Sequence, residues 1–202
     1  MEKGLKLSTK SDSPSVDDTT YRQLVGTLSA TRPNISFAVS YISRFMTAPE
    51  ADHWMATKHV LRYVKGTSDY GLLYSRSSNP KLNGFTDSNW AGSFDDKKST
   101  FGYVFSLGSG VVTWTSKKQQ LVSLSSTEAE YRGTIKAGCE DVWLCRMLGD
   151  MQMSPVGPTT LFVDNEGIIK LARNPVFYKR TKHVHVHCHY IRQLVEDESI
   201  DL

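Results

Sequence analysis

Residues 21–66 read as helical, because apolar positions recur there at three-to-four spacing. After Pro33, which suits a first helical turn, Ile35, Ala38, Val39, Ile42 and Phe45 fall on one stripe. Pro49-Glu50 marks the start of a second helix and Gly66 its end, with Trp54, Thr57, Leu61 and Val64 on a shared face. From residue 79 the pattern changes to that of strands. Leu82 to Asp87 is the first candidate. Thr100 to Leu107, the Gly108-Ser109-Gly110 turn and Val111 to Thr115 predict a hairpin. Residues 126–150 read as a helix capped by Ser126 or Thr127, with acids in its first turn. Gly133 and Gly138 lie inside it, each at a cost of about 1 kcal/mol relative to Ala. Pro155 and Pro158 end that region. Thr160 to Asp164 is a short strand of the buried type, and a helix from Asn165 stops before Asn174-Pro175. His183 to Val195 reads as the last helix. Strand, hairpin, helix, strand, helix, helix predicts a mixed sheet with helices against it.

Composition narrows the class. Hydrophobic residues make up 39% of the 202 positions, enough for a packed core and against wholesale disorder. Residues 1–20 are polar and are expected to form a mobile lead-in. A formal charge of +3 is too small to draw the whole chain to phosphate, so any nucleic-acid affinity rests on local clusters. Lys58, Arg62 and Lys65 share one helix face, which serves either as a solvated surface or as a rail for a phosphate backbone. Cys139, Cys145 and Cys188 form no CxxC pair and no even set, so they read as reduced intracellular thiols. Cys139 and Cys145, with Trp90 and Trp114, are expected in the core. No signal peptide and no apolar run of about 20 residues is visible, so the expectation is a soluble, cytoplasmic or nuclear, non-secreted protein without a membrane partner.

Three carboxylates stand at informative places. Asp87 ends the first strand, Asp164 ends a later one, and Glu130 lies on the long helix. If the two strands are neighbours, the helix packed across them can bring Glu130 to the same point. Acidic oxygens are the hard ligands that Mg²⁺ prefers, and two such ions can serve phosphodiester cleavage. Asp-Ser-Asn and Asp-Asn-Glu are also ordinary turn and cap sequences, so on spacing alone both readings stand.

A series of ordered blocks adds a resemblance. Tyr21-Arg22-Gln23-Leu24-Val25-Gly26, Thr31-Arg32-Pro33-Asn34-Ile35, Leu61-Arg62-Tyr63-Val64-Lys65-Gly66-Thr67 and Thr86-Asp87-Ser88-Asn89-Trp90-Ala91-Gly92 follow the pattern of copia-type retrotransposon polyproteins. Ser126-Thr127-Glu128-Ala129-Glu130-Tyr131, Val163-Asp164-Asn165 and Arg180-Thr181-Lys182-His183 continue it over nearly the whole chain. The resemblance implies that residues 21–78 are the end of a reverse transcriptase, from its thumb or connection region. It implies that residues 79–202 are a ribonuclease H-like α/β domain, a mixed five-stranded sheet flanked by helices. The activity it implies is metal-dependent cleavage of RNA in RNA/DNA hybrids, with Asp87, Glu130 and Asp164 binding two Mg²⁺ ions, Mn²⁺ as a substitute, and no small-molecule cofactor. In that context Lys117, Lys118, Lys179, Arg180 and Lys182 join Lys58, Arg62 and Lys65 as candidate phosphate contacts.

The sequence also departs from the family. The family continues with one more strand and an Ala-Asp-containing helix that carries a fourth carboxylate. The sheet is therefore expected to lose its last strand and helix here, and turnover to be impaired. His185 stands where the family has an acid, and the run Gly26 to Pro33 is short by a few residues. Polymerase activity is not expected. The alternating His183, His185, His187 and His189 fit either a zinc site or an exposed helix face. The alternative to an enzyme is a non-catalytic remnant that binds nucleic acid weakly.

Overall fold

The computed structural model describes residues 5–9, 12–28, 32–76, 80–155, 157–173 and 185–202, with the backbone alone for 185–188. Five strands form one sheet: β1 (Leu82–Asn89), β2 (Thr100–Leu107), β3 (Gly110–Lys118), β4 (Thr159–Val163) and β5 (Ile200–Asp201), in the order β3-β2-β1-β4-β5. The first three pair antiparallel, while β4 and β5 run parallel to β1 and to each other. Gly108, at φ +61°, supplies the left-handed turn between β2 and β3. This is the mixed ribonuclease H-like sheet that the resemblance implies.

One part of that expectation is corrected. The sheet keeps its fifth member: Ile200 and Asp201 pair with Thr159 and Thr160, and the Thr159 N–H donates to the Ser199 carbonyl at 3.0 Å. Burial of Ile200 in the core fixes this short strand against β4.

Among the described residues there are six α-helices: α1 (Asp18–Thr27), α2 (Ser36–Ile42), α3 (Ala51–Gly66), α4 (Ser126–Asp150), α5 (Glu166–Arg173) and α6 (His185–Glu196). The long helix α4 lies antiparallel to β1 across one face. Gly133 stands over Ser88 near the end of β1, and Cys145 lies 3.9 Å from Thr159 at the start of β4. Phe105, Tyr131, Leu144, Leu161, Ile168 and Ile191 fill the core between sheet and helices. Gly138 lets α6 close on α4, since a Cβ there would meet Leu194 and Ile191 at 3.0 and 3.1 Å. Among the described residues no helix is long and apolar enough to cross a membrane.

A second core joins Leu7, Tyr21, Val25, Ile42, Phe45 and Val60, so the N-terminal helices pack on one another around their own centre. The expected faces of α3 appear there, with Thr57 buried and Lys58, Arg62 and Lys65 exposed. The described residues of the polar lead-in make contacts with these helices. Leu7 is buried, its N–H donates to Tyr41 Oη at 2.9 Å, and Ser15 bridges Glu50. His53 explains the anchoring. Its Nδ1 accepts from the Glu50 N–H at 3.0 Å, so the ring proton sits on Nε2, which donates to the Ser8 carbonyl at 2.8 Å. Two core expectations fail. Trp90 is 48% exposed at the end of β1, held by its indole N–H on the Ser123 carbonyl, and Cys139 is exposed on α4. Trp114 and Cys145 are partly buried.

Candidate active site

The alternation along β1 sorts its side chains. Leu82, Gly84, Thr86 and Ser88 point toward α4 and are buried; Phe85, Asp87 and Asn89 point to the other face and are exposed. The contact beneath α4 is close. A Cβ on Gly133 would stand 2.5 Å from Ser88 Oγ and 3.4 Å from Phe101 Cβ, so only glycine allows this spacing. Small polar residues therefore occupy the buried face, and Asp87 is left on the open one. The Ser88 N–H donates to Asp87 Oδ1 at 2.6 Å and fixes one carboxylate oxygen.

Asp164 follows β4 directly. The parallel register pairs Phe85 with Phe162 and Thr86 with Val163, so Asp87 and Asp164 occupy the next positions along adjacent strands. Their rows share a face: the rings of Phe85 and Phe162 stack at 4.8 Å with both half exposed. Two carboxylates thus stand beside each other at the C-terminal ends of parallel strands, where open α/β sheets gather ligands.

Glu130 comes from α4, one turn before Gly133, over the same end of β1 but across the sheet from Asp87. Its Oε2 is buried and has no hydrogen-bond partner among the described residues. The neighbouring acid Glu128 is committed elsewhere. It accepts from the Leu124 N–H at 2.8 Å and from Arg132 Nη2 at 2.8 Å, beside the Ser125 cap. The donor chemistry suits a hard divalent cation, since carboxylate oxygens are the ligands such ions prefer. The geometry is not closed: among the described residues no three ligating side chains lie close enough to hold an ion. The register sets Asp87 and Asp164 at neighbouring strand ends, and Glu130 comes over the same end of β1 from α4.

The relatives share this segment. The Pol polyprotein of transposon RE2 from Arabidopsis thaliana is 40% identical over 198 residues, which is 96% of this chain and 14% of that protein. The Pol polyprotein of transposon TNT 1-94 from Nicotiana tabacum is 40% identical over 184 residues, 89% of this chain and 14% of that protein. The chain belongs to the copia-type retrotransposon Pol family. A Plasmopara viticola protein named secreted RxLR effector protein 161 is 47% identical over 114 residues, 56% of this chain and 80% of its own length. No family model matches the chain. The Pol chain spans about one seventh of the length of the polyproteins it matches.

Its candidate phosphate contacts sit in several places. Lys58, Arg62 and Lys65 are exposed along α3, far in sequence from the carboxylates, and Lys58 Nζ lies 5.3 Å from the Trp54 ring centroid. Lys117 is exposed at the end of β3, but Lys118 is paired with Asp96 at 2.9 Å. Burial would raise the Asp96 pKa, but hydrogen bonds from Ser93 and Lys118 outweigh it and hold the carboxyl well below the usual range. Lys179, Arg180, Lys182 and His183 lie outside the described residues, as do the side chains of His185 and His187. Sequence reasoning missed Asp141, which is 1% exposed in the middle of α4 with Oδ2 unpartnered among the described residues. Burial raises its pKa, and hydrogen bonds from Thr159 and Cys145 oppose the shift in part. The signal was present, because Asp141 lies on the stripe of Ala137, Leu144 and Leu148.

Proposed function

We propose that residues 79–202 of this Pol segment act as a ribonuclease H, cleaving the RNA strand of an RNA/DNA hybrid, with Asp87, Glu130 and Asp164 holding two Mg²⁺ ions, or Mn²⁺ in their place. The reading includes residues 21–78 as the end of the reverse transcriptase. The supporting observation is that Asp87 and Asp164 each follow directly on the last paired residues, Thr86 and Val163, of adjacent parallel strands, with a Glu130 oxygen over the same end that has no hydrogen-bond partner among the described residues. When bound, the ions supply Lewis acidity at the attacked phosphate and neutralise charge on the departing 3′ oxygen. Asp87, steadied by the Ser88 N–H, and Asp164 are both exposed.

A second reading is a nucleic-acid-binding remnant without turnover. It is favoured by the lack, among the described residues, of three carboxylates within ligating reach. A gel assay with labelled RNA in a hybrid separates the two. The first reading expects RNA cleavage with Mg²⁺ or Mn²⁺ that is abolished by Asp87→Asn. Absent cleavage with salt-sensitive binding retained supports the second.

A further inference from the structure

A groove between the N-terminal helices and the turn leaving β1 has no part in the site described above. Phe37 and Tyr41 of α2 form one wall, and Asn89, Gly92 and Phe94 the other, around a cavity of about 600 Å³. A second hollow of about 510 Å³ shares Phe37, Asn89 and Thr100 with it and runs along β1 to Asp87. Together they make one path from the exit turn to the candidate active site.

The outer half of this path carries three cations, Lys6, Arg44 and Lys97. Arg44 is half-buried. Its Nη2 donates to Thr100 Oγ1 at 3.0 Å, and its guanidinium carbon lies 5.0 Å from the Tyr41 ring centroid. Lys97, at φ +53°, sets its Nζ 4.9 Å from the Phe94 centroid. Among the described residues none of the three forms an ion pair. The acids nearby are engaged elsewhere: Asp96 with Lys118 and Lys98, and Asp95 with the Ser8 hydroxyl at 2.6 Å and the Thr9 N–H at 2.9 Å. Asp96 acts on Arg44 as a nearby charge without forming an ion pair, so a ligand phosphate would add the direct contact that this half-buried guanidinium lacks among the described residues.

Cations interleaved with aromatic faces along a narrow channel are what single-stranded nucleic acid requires, because the cations meet phosphates and the rings stack bases. A cavity of this size accepts a group of drug-like dimensions, which is a nucleotide or two and not a paired helix. We propose that this groove binds a single-stranded segment of nucleic acid adjoining the hybrid, with Arg44 and Lys97 on its phosphates and Phe37 and Phe94 against its bases. The proposal rests on the nucleic-acid reading above and adds a path by which the N-terminal helices help to select substrate.

Fluorescence anisotropy in EDTA, where no cutting occurs, tests it with a blunt hybrid and with hybrids carrying a single-stranded RNA or DNA tail. Tailed hybrid should bind more tightly than blunt. Lys97→Gln should weaken the tailed complex several-fold and lower its salt slope by about 0.7, the value for one contact to a single strand, while leaving blunt binding unchanged. Arg44→Gln should act in the same way. If that half-buried change fails to fold, Lys6→Gln on the exposed rim carries the test instead. Lys81→Gln, at the far end of β1, should change neither complex. Comparison of the two tails tells whether the groove prefers RNA or DNA. Equal binding of tailed and blunt hybrids, or equal loss of both in Lys97→Gln, overturns the proposal. Binding of free single strand that depends on Lys97, with hybrid ignored, supports the groove and overturns the ribonuclease H reading instead.

Discussion

Replacement of Gly133 by Ala probes the seam that sets Glu130 over the end of β1. In an open helix interior the change would stabilise by about 1 kcal/mol through lower backbone entropy loss. Here the new Cβ would meet Ser88 Oγ at 2.5 Å, roughly an ångström inside ordinary contact, whereas Phe101 Cβ at 3.4 Å and Thr86 Oγ1 at 3.6 Å are tolerable. Overpacking of this kind costs about 1–3 kcal/mol. The sum runs from near zero to about 2 kcal/mol of destabilisation, against about 1 kcal/mol of stabilisation at an unhindered site. The decisive comparison uses Ser88→Ala as background, because it removes the only atom in severe overlap. That hydroxyl is buried without a partner among the described residues, so its loss alone should be close to neutral. In the Ser88→Ala background Gly133→Ala should regain the helix benefit, giving a coupling of about 1–3 kcal/mol between the two positions. Urea denaturation followed by circular dichroism measures all four variants through their midpoints at constant slope. Additive effects, or stabilisation by Gly133→Ala with Ser88 intact, would refute the close packing of α4 on β1.

Other outcomes follow from the same structure. Ser125→Ala removes the side-chain oxygen that accepts the Glu128 N–H at 3.1 Å, and should cost about 1 kcal/mol in the same denaturation assay. Asp141 has a folded-state pKa raised above its ordinary 3.8, first by burial, so its contribution to stability is present below that value and fades as pH rises through the raised one. Asp141→Asn should therefore match the wild type in melting temperature at acid pH and exceed it at neutral pH. A difference that is constant across pH would contradict this placement of Asp141.

Much of the fold was legible because local pattern and tertiary demand agree. The helix expected over 126–150 is α4, and the turn at Gly108 joins the two strands that the aromatic and β-branched run predicted. Where they disagree, the pattern misleads. Phe85 is 48% exposed while Thr86 and Ser88 are buried, the reverse of an ordinary amphipathic strand, because the glycine face of α4 leaves room there only for small side chains. The neighbouring of Asp87 and Asp164 could be stated from strand order, but the position of Glu130 across the sheet could not, since it depends on which face α4 covers. The polar lead-in hid its anchor in a single apolar residue, Leu7, and in a histidine whose two ring nitrogens bind different segments.

Whether the carboxylates at the ends of β1 and β4 hold a divalent ion can be measured directly by titrating Mn²⁺ and following the free-ion electron paramagnetic resonance signal, with and without hybrid. Free signal should fall with the wild-type chain and with Asp150→Asn, an exposed control at the end of α4, and uptake should be weaker with Asp87→Asn, Asp164→Asn or Glu130→Gln. Uptake by the Asp87 and Asp164 variants equal to that of the wild type would contradict ion binding at these strand ends.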